Sequence, residues 1–414
     1  MPAGWAIINY GRGGSSNMED KMRAVRLYAT WAPKKEFKLG AKDVDGRQTY
    51  LGSLVWKNPK LVIEDVDVPE PGPQEVLIEV KACGICGSDV HMAQPDKKGY
   101  IYYPGLTGFP CTLGHEFSGV VVKGGPGALN KVTNKPFRGG EKVTAEEMLW
   151  CGSCKPCADG WPNHCERLDE IGFNINGAFS KYIVVPDRVV WSLDPLKKKY
   201  KGDDIFLAGS IVEPTCVAYN AVVERGGGVR PGDNVVICGG GPVGQAAVAI
   251  LKRMGAAKVI MSEPEASRRK MAKAFGADHV IDPTKENFVE KVLKYTDGMG
   301  GDLYLEATGL PTIVYPGIEQ CVWEGRTLNA TIVVVARAEA KMPVTGEVLQ
   351  VRRARIVGAQ GHSGHGTFPR VINSMATGMD MTPMITKKIK LDQVPENVIK
   401  LRTDRKECKI TCLI

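Results

Sequence analysis

Apolar residues along the chain fall into two regimes. Between Lys60 and Val80 the pattern is a short apolar run, a Pro/Gly turn and another short run: Leu61-Val62-Ile63, Pro69 to Pro73, then Val76-Leu77-Ile78-Glu79-Val80. Alternating or continuous β-branched runs bounded by turn residues predict strands. Further runs at Gly119–Val122 and Tyr182–Val185 extend this into a β-rich unit with long loops. Beyond Glu213 the pattern changes to apolar runs alternating with helical periodicity. Val235–Cys238, Lys258–Met261, Val280-Ile281 and Leu303–Leu305 read as strands. Helices are predicted from Gln245 towards Met254, over Ser267–Phe275 and over Glu286–Tyr295. Alternation of this kind predicts a parallel sheet with right-handed crossovers. From about Ala359 the alternation is lost, and that segment is expected to fold back on the first unit.

With 414 residues the chain is long enough for two cores. Its 43% hydrophobic and 24% charged residues are ordinary for a globular protein. The formal charge of +8 comes from scattered lysines such as Lys34-Lys35 and Lys197–Lys199, with no interleaved aromatics, so nucleic acid is not an expected partner. Met1 to Asn17 lacks the basic start and apolar core of a signal peptide and reads as a disordered extension ahead of a start at Met18 or Met22. The longest uncharged stretch, Val235 to Leu251, carries glycines, a proline and Gln245, which argues against a membrane span. The expectation is a soluble, cytoplasmic protein.

Twelve cysteines in a long chain without an export signal favour metal binding over disulfides. Cys151, Cys154, Cys157 and Cys165 place four thiols within fifteen residues, and Gly152, Pro156 and Gly160 supply turns between them. Four thiolates suit a closed tetrahedral zinc site, which is structural. Cys216, Cys238, Cys321, Cys408 and Cys412 stand singly in apolar contexts, as small buried hydrophobes do. A second set is more dispersed: Cys83-Gly-Ile-Cys86-Gly-Ser88-Asp89-Val-His91, then Gly114-His115-Glu116, then Glu213-Pro214. It offers a thiol, a hydroxyl, imidazoles and carboxylates, suited to a zinc that keeps one position open. Gly239-Gly-Gly241-Pro242-Val243-Gly244 follows a strand and opens a helix, the context that gives this glycine pattern its meaning as a pyrophosphate loop. Glu263 lies nineteen residues further on, placed to bind ribose hydroxyls and to repel a 2′-phosphate.

Taken in order over almost the whole chain from Met22, these motifs resemble the zinc-containing medium-chain dehydrogenases. The resemblance implies a GroES-like catalytic domain over residues 22–213 and 360–414, and a Rossmann NAD-binding domain over 214–359, after an extension at 1–21. It implies two zinc ions per chain and NAD. Cys86 and His115 match catalytic ligand positions, and Glu213, not the nearby Cys216, stands where alcohol dehydrogenases carry a second cysteine. That carboxylate is similar to the polyol branch, in which either Glu116 coordinates the metal while Glu213 holds its water, or the two exchange roles. Ser88 and His91 are the implied proton relay. Arg268 is the implied adenine neighbour, and Thr308, with Thr331 to Val334, lies on the nicotinamide side. The expected reaction is hydride transfer from a secondary alcohol of a polyol, a cyclic polyol or an inosose, to NAD. Sorbitol, threonine or simple alcohols are the alternatives, and a non-catalytic zinc and dinucleotide binder is the reading from another class. Tyr100, Tyr102, Tyr103 and Phe109 either line the pocket or cover the surface. His362 and His365 either face the cleft or stiffen a glycine-rich turn. A homodimer or homotetramer is expected, with Ile332 to Ala336 as a candidate sheet edge.

Overall fold

In the computed structural model, residues 20–40, 51–338 and 340–414 are described. The expected extension therefore lies almost wholly outside the described residues, and the first strand, Lys21–Trp31, already takes in Lys21. This strand pairs antiparallel with Trp56–Asp67 in a small outer sheet, with Leu27 opposite Leu61. The catalytic unit is built on a seven-stranded sheet. Its centre is Glu75–Gly84, which pairs with Glu116–Gly124 on one side and with the C-terminal strand Lys409–Leu413 on the other. Its buried face alternates as the sequence alternates: Val76, Ile78 and Val80 share one core with Phe117, Val121 and Ile183.

The cofactor unit is a six-stranded parallel sheet. Its strands are His279–Ile281, Lys258–Ser262, Asn234–Cys238, Leu303–Glu306, Thr331–Val334 and Arg355–Gly358, in that spatial order. Numbered by sequence this is 3-2-1-4-5-6, with the order reversing beside the first strand, the doubly wound arrangement that opens a dinucleotide crevice. Because Thr331–Val334 lies between two neighbours, Ile332 and Val333 are fully covered. The exposed edge is Arg355–Gly358 instead, which corrects the expectation of an edge at Ile332 to Ala336. The sequence offered only an apolar run there, and a central parallel strand has the same signature.

Between the two sheets lies a helical run that the sequence pattern did not announce: Asp204–Ser210, Val212–Tyr219 and a wider turn at Asn220–Arg225. It is long and apolar enough by composition to cross a membrane, but 89% of its most apolar 18-residue stretch is buried, so it is a core element. After Gly358 the chain forms a strap. Gln360 and Gly361 carbonyls accept from Asn220 Nδ2 at 3.1 and 2.8 Å, and Ser363 Oγ donates to Glu146 at 2.7 Å. The strap passes into helix Thr367–Ala376, and the strands at 385–390 and 409–413 then complete the catalytic sheet.

Candidate active site

The lobe at 148–168 has a very small core of its own, Met148, Cys154, Cys165 and Leu168. Such a loop cannot stand on apolar burial alone. The Sγ atoms of Cys151, Cys154, Cys157 and Cys165 converge to within 4.8 Å of one another, with Cys154 and Cys165 at 3.7 Å. A zinc–sulfur distance of about 2.3 Å requires tetrahedral edges of roughly 3.8 Å, so the four thiols fit zinc. Backbone N–H groups of Ser153 and Cys157 hold the Cys151 and Cys154 thiols below their ordinary range, whereas burial pushes Cys157 and Cys165 up.

A second convergence comprises Cys86, His115 and Glu116, again within 4.8 Å. Cys86 caps helix Gly87–Ala93, where its own N–H donates to Asp89 Oδ2 at 2.8 Å. The other oxygen of buried Asp89 faces His115 Nδ1 at 3.9 Å. This approach is longer than a hydrogen bond, so the carboxylate acts on this side of the ring by charge, while Nε2 lies 3.4 Å from Ser88 Oγ. A carboxylate behind a ligating imidazole is what a metal site uses to fix the ring. Asp89 was visible in the motif, one helical turn after Cys86, but only the fold gives it this task. Ser88 and His91 stand three residues apart on the same helix, on neighbouring positions of one face. Burial lowers His91, which keeps its imidazole neutral at physiological pH.

Glu116, grouped with Cys86 and His115, also has a partner that the sequence pattern does not announce. The buried ammonium of Lys409 donates to both of its oxygens, at 2.5 and 2.6 Å, and to the Ile85 carbonyl at 3.0 Å. Burial alone would lower Lys409, but Glu116 more than reverses this and keeps it charged. The pair fits only because residue 84 is glycine: a Cβ there would lie 2.2 Å from a Glu116 oxygen. Glu213, in the first turn of Val212–Tyr219, is turned towards His362 Nε2 at 3.2 Å. His362 also meets Glu147, so Glu147, Glu213 and His362 form a third, buried convergence. Of the two strap histidines, His362 is fully buried and turned towards Glu147 and Glu213, whereas His365 meets the Trp161 ring of the lobe edge-on. The aromatic stretch divides likewise. Tyr103 is buried against Phe173, whose ring lies 4.7 Å from His115. Phe109 packs on Trp56 and Tyr100 bonds to the Ala32 carbonyl, both away from the site. Cys83 and Cys216 are fully buried, as structural thiols are.

In the cofactor unit, Pro242 and Val243 open helix Pro242–Met254, with Gly241 as its cap. Nothing lies within 4 Å of a Cβ placed on Gly241, whereas one on Gly244 would stand 1.9 Å from the Gly239 carbonyl oxygen. The loop thus leaves space outside for a pyrophosphate and none inside for a side chain. Glu263 braces the loop: Oε2 accepts from Gly240 N–H at 2.6 Å and Oε1 from Glu265 N–H at 2.8 Å. Each oxygen keeps a further lone pair for a ribose hydroxyl. Arg268 reaches the Glu407 carbonyl at 2.6 Å, and Thr308 is bonded through its hydroxyl to Glu306 at the end of the fourth strand.

Comparison with known proteins agrees with this geometry. Residues 72–195 match the family model described as alcohol dehydrogenase GroES-like domain, and 242–377 match zinc-binding dehydrogenase. The chain is 64% identical over 395 residues to scyllo-inosose 3-dehydrogenase of Thermotoga maritima, covering 95% of this chain and all of that one. It is 31% identical to L-threonine 3-dehydrogenase of Pyrococcus horikoshii, over 84% of this chain and 94% of the relative. A solved structure from Thermotoga maritima named for alcohol dehydrogenase superposes with a TM-score of 0.91 at 64% identity, over 95% of this chain and all of its own. The chain belongs to the zinc-dependent medium-chain dehydrogenase/reductase family and is an oxidoreductase that uses zinc and a nicotinamide dinucleotide.

Proposed function

We propose that the enzyme oxidises one secondary carbinol of a cyclic polyol or inosose, with NAD as hydride acceptor and two zinc ions per chain. The observation that carries the substrate class is the 64% identity, along nearly the whole chain, to a dehydrogenase named for scyllo-inosose. Cys86, His115 and a carboxylate, Glu116 or Glu213, would hold the catalytic metal. Bound there, zinc supplies Lewis acidity to the substrate oxygen, and the dinucleotide supplies the hydride acceptor. The protein's own residues do the rest. Asp89 holds the His115 ring in one orientation. Ser88 relays the hydroxyl proton and half-buried His91, whose imidazole is held below its ordinary range by desolvation and Arg405, passes it towards solvent. The N-terminus of helix Pro242–Met254 receives the pyrophosphate, and Glu263 receives the ribose diol and disfavours a 2′-phosphate.

The test is a substrate panel of inositols, inososes, sorbitol, threonine and simple alcohols with NAD or NADP, together with a zinc count. NAD-linked oxidation of cyclic polyols with two zincs per chain is the expected result. A preference for threonine would favour the activity named for the Pyrococcus relative. One zinc per chain, or turnover that survives Cys86→Ala, would overturn the mechanism.

A further inference from the structure

Three further carboxylates of the catalytic unit, Glu146, Glu147 and Glu170, are buried. Glu146 and Glu147 are neighbours in the chain, but they face different partners. Glu146 accepts from Trp191 Nε1 at 2.8 Å and from Ser363 Oγ at 2.7 Å, which ties the strap to the catalytic sheet. Glu147 instead meets His362. Next to it is Glu170, in a two-residue strand that pairs with Met148-Leu149. The Glu170 carbonyl accepts from the N–H groups of Phe173, Asn174 and Ile175, closing a tight turn. That turn delivers Phe173 between His115 and Tyr103, so Glu170 is anchored at the same wall of the site.

The Glu170 side chain is 2% exposed. One oxygen faces Arg337 at 3.9 Å, across the boundary with the cofactor unit. The other, Oε2, has no hydrogen-bond partner among the described residues. Arg337 itself lies over the Tyr103 ring at 5.5 Å. A buried acceptor without a donor is costly, and its retention calls for an explanation. A ring bearing several vicinal hydroxyls provides one. Its O–H groups donate to carboxylates, and its oxygens accept from imidazole and guanidinium.

We propose that Glu147, Glu170 and His362, backed by Arg337 and Tyr103, form a hydroxyl-recognition wall that sets which carbinol of a polyol reaches the metal-binding group. This assignment rests on the polyol reading above. Glu213 meets His362 at 3.2 Å, and its charge also acts on His115 of the metal-binding group. The wall therefore positions the ring against the reacting carbon and does not merely collect substrate.

The experiment compares zinc-loaded wild type with Glu147→Gln, Glu170→Gln and Glu170→Asp. Each is assayed with the best inositol or inosose and with 2-butanol, which reaches the metal but cannot span the wall. NADH binding, followed by fluorescence, reports that each variant is folded. The expected result is a fall of about tenfold or more in the ratio of kcat/KM values, polyol over 2-butanol, carried mainly by the polyol KM. Glu170→Asp retracts the carboxylate without removing its charge and is expected to lower the ratio as well. A ratio within about threefold of wild type, or a parallel loss on both substrates, overturns the wall. If wild type oxidises polyols and the ratio holds, only the wall falls. If wild type oxidises 2-butanol but no polyol, the wall falls together with the polyol reading.

Discussion

Replacing Lys409 by methionine removes a buried ammonium from the catalytic sheet and leaves its partner Glu116 in place. The side chains of Lys409 and Glu116 are 2% and 1% exposed, and the ammonium spends all its donors on Glu116 and the Ile85 carbonyl. Methionine keeps the volume and the flexibility but leaves Glu116 as an uncompensated buried carboxylate. Breaking a buried pair from one side costs about 3–5 kcal/mol, whereas replacing both partners is far milder. For a unit of this size, 1 kcal/mol moves Tm by about 2–4 °C, so Lys409→Met is expected to lower the catalytic-unit transition of the metal-free enzyme by roughly 6–20 °C. Lys409→Met/Glu116→Gln is expected to recover most of that loss. Zinc is expected to rescue the single variant more than the wild type, because the freed carboxylate gains a cation. Calorimetry on metal-free and zinc-loaded protein reads all three. A loss under about 1 kcal/mol, or a double variant no more stable than the single one, would refute the view that Lys409 neutralises Glu116.

Other outcomes follow from particular contacts. Asp89→Asn is expected to weaken catalytic zinc binding by about 10–100-fold, measured by chelator competition; wild-type affinity would show that Asp89 does not orient His115. Gly244→Ala forces a Cβ against the Gly239 carbonyl, with an overpacking cost of about 1–3 kcal/mol or more. It should appear as weakened NADH binding at unchanged zinc content, and tight NADH binding would contradict the assigned loop. Burial pushes the Glu170 carboxyl up to about 7, against the pull of Arg337. From about pH 4.5 to 7 the native metal-free protein keeps a proton that the unfolded chain has lost, so its stability falls as pH rises through that window. Glu170→Gln should flatten this dependence, gaining up to about 3 kcal/mol above pH 7 in urea titrations, and an unchanged slope would count against a buried, neutral Glu170.

The parts of this site that could be read from the sequence are those written locally. Four cysteines within fifteen residues, or three glycines between a strand and a helix, bring their groups together by chain geometry alone. Lys409 and Glu116 are 293 residues apart and meet only because their strands flank Glu75–Gly84 on opposite sides. Glu170 and Glu147 are hidden for the same reason, since each is an ordinary polar residue until the fold is made; His362 is offered by the sequence as cleft-facing or structural, and the strap at 359–366 turns it to Glu147 and Glu213. Glu213 is legible through the resemblance, standing where alcohol dehydrogenases carry a second cysteine, but its turn towards His362 is not, because no local pattern describes a side chain's choice between two partners. The helical run at 204–225 escaped because it is apolar on every side, and periodicity marks only helices with a wet face.

The C-terminal strand also constrains the order of assembly on the ribosome. Every strand of the cofactor sheet is translated before residue 359, so that sheet can close while the chain is still being made. The catalytic sheet cannot, because the slot beside Glu75–Gly84 waits for Lys409–Leu413. Until that strand arrives, Glu116 lacks its counter-ion, and metal captured early would meet a carboxylate with no ammonium beside it. Translation therefore separates the two halves in time: a dinucleotide-ready half first, and a metal-binding half finished by its last-made strand.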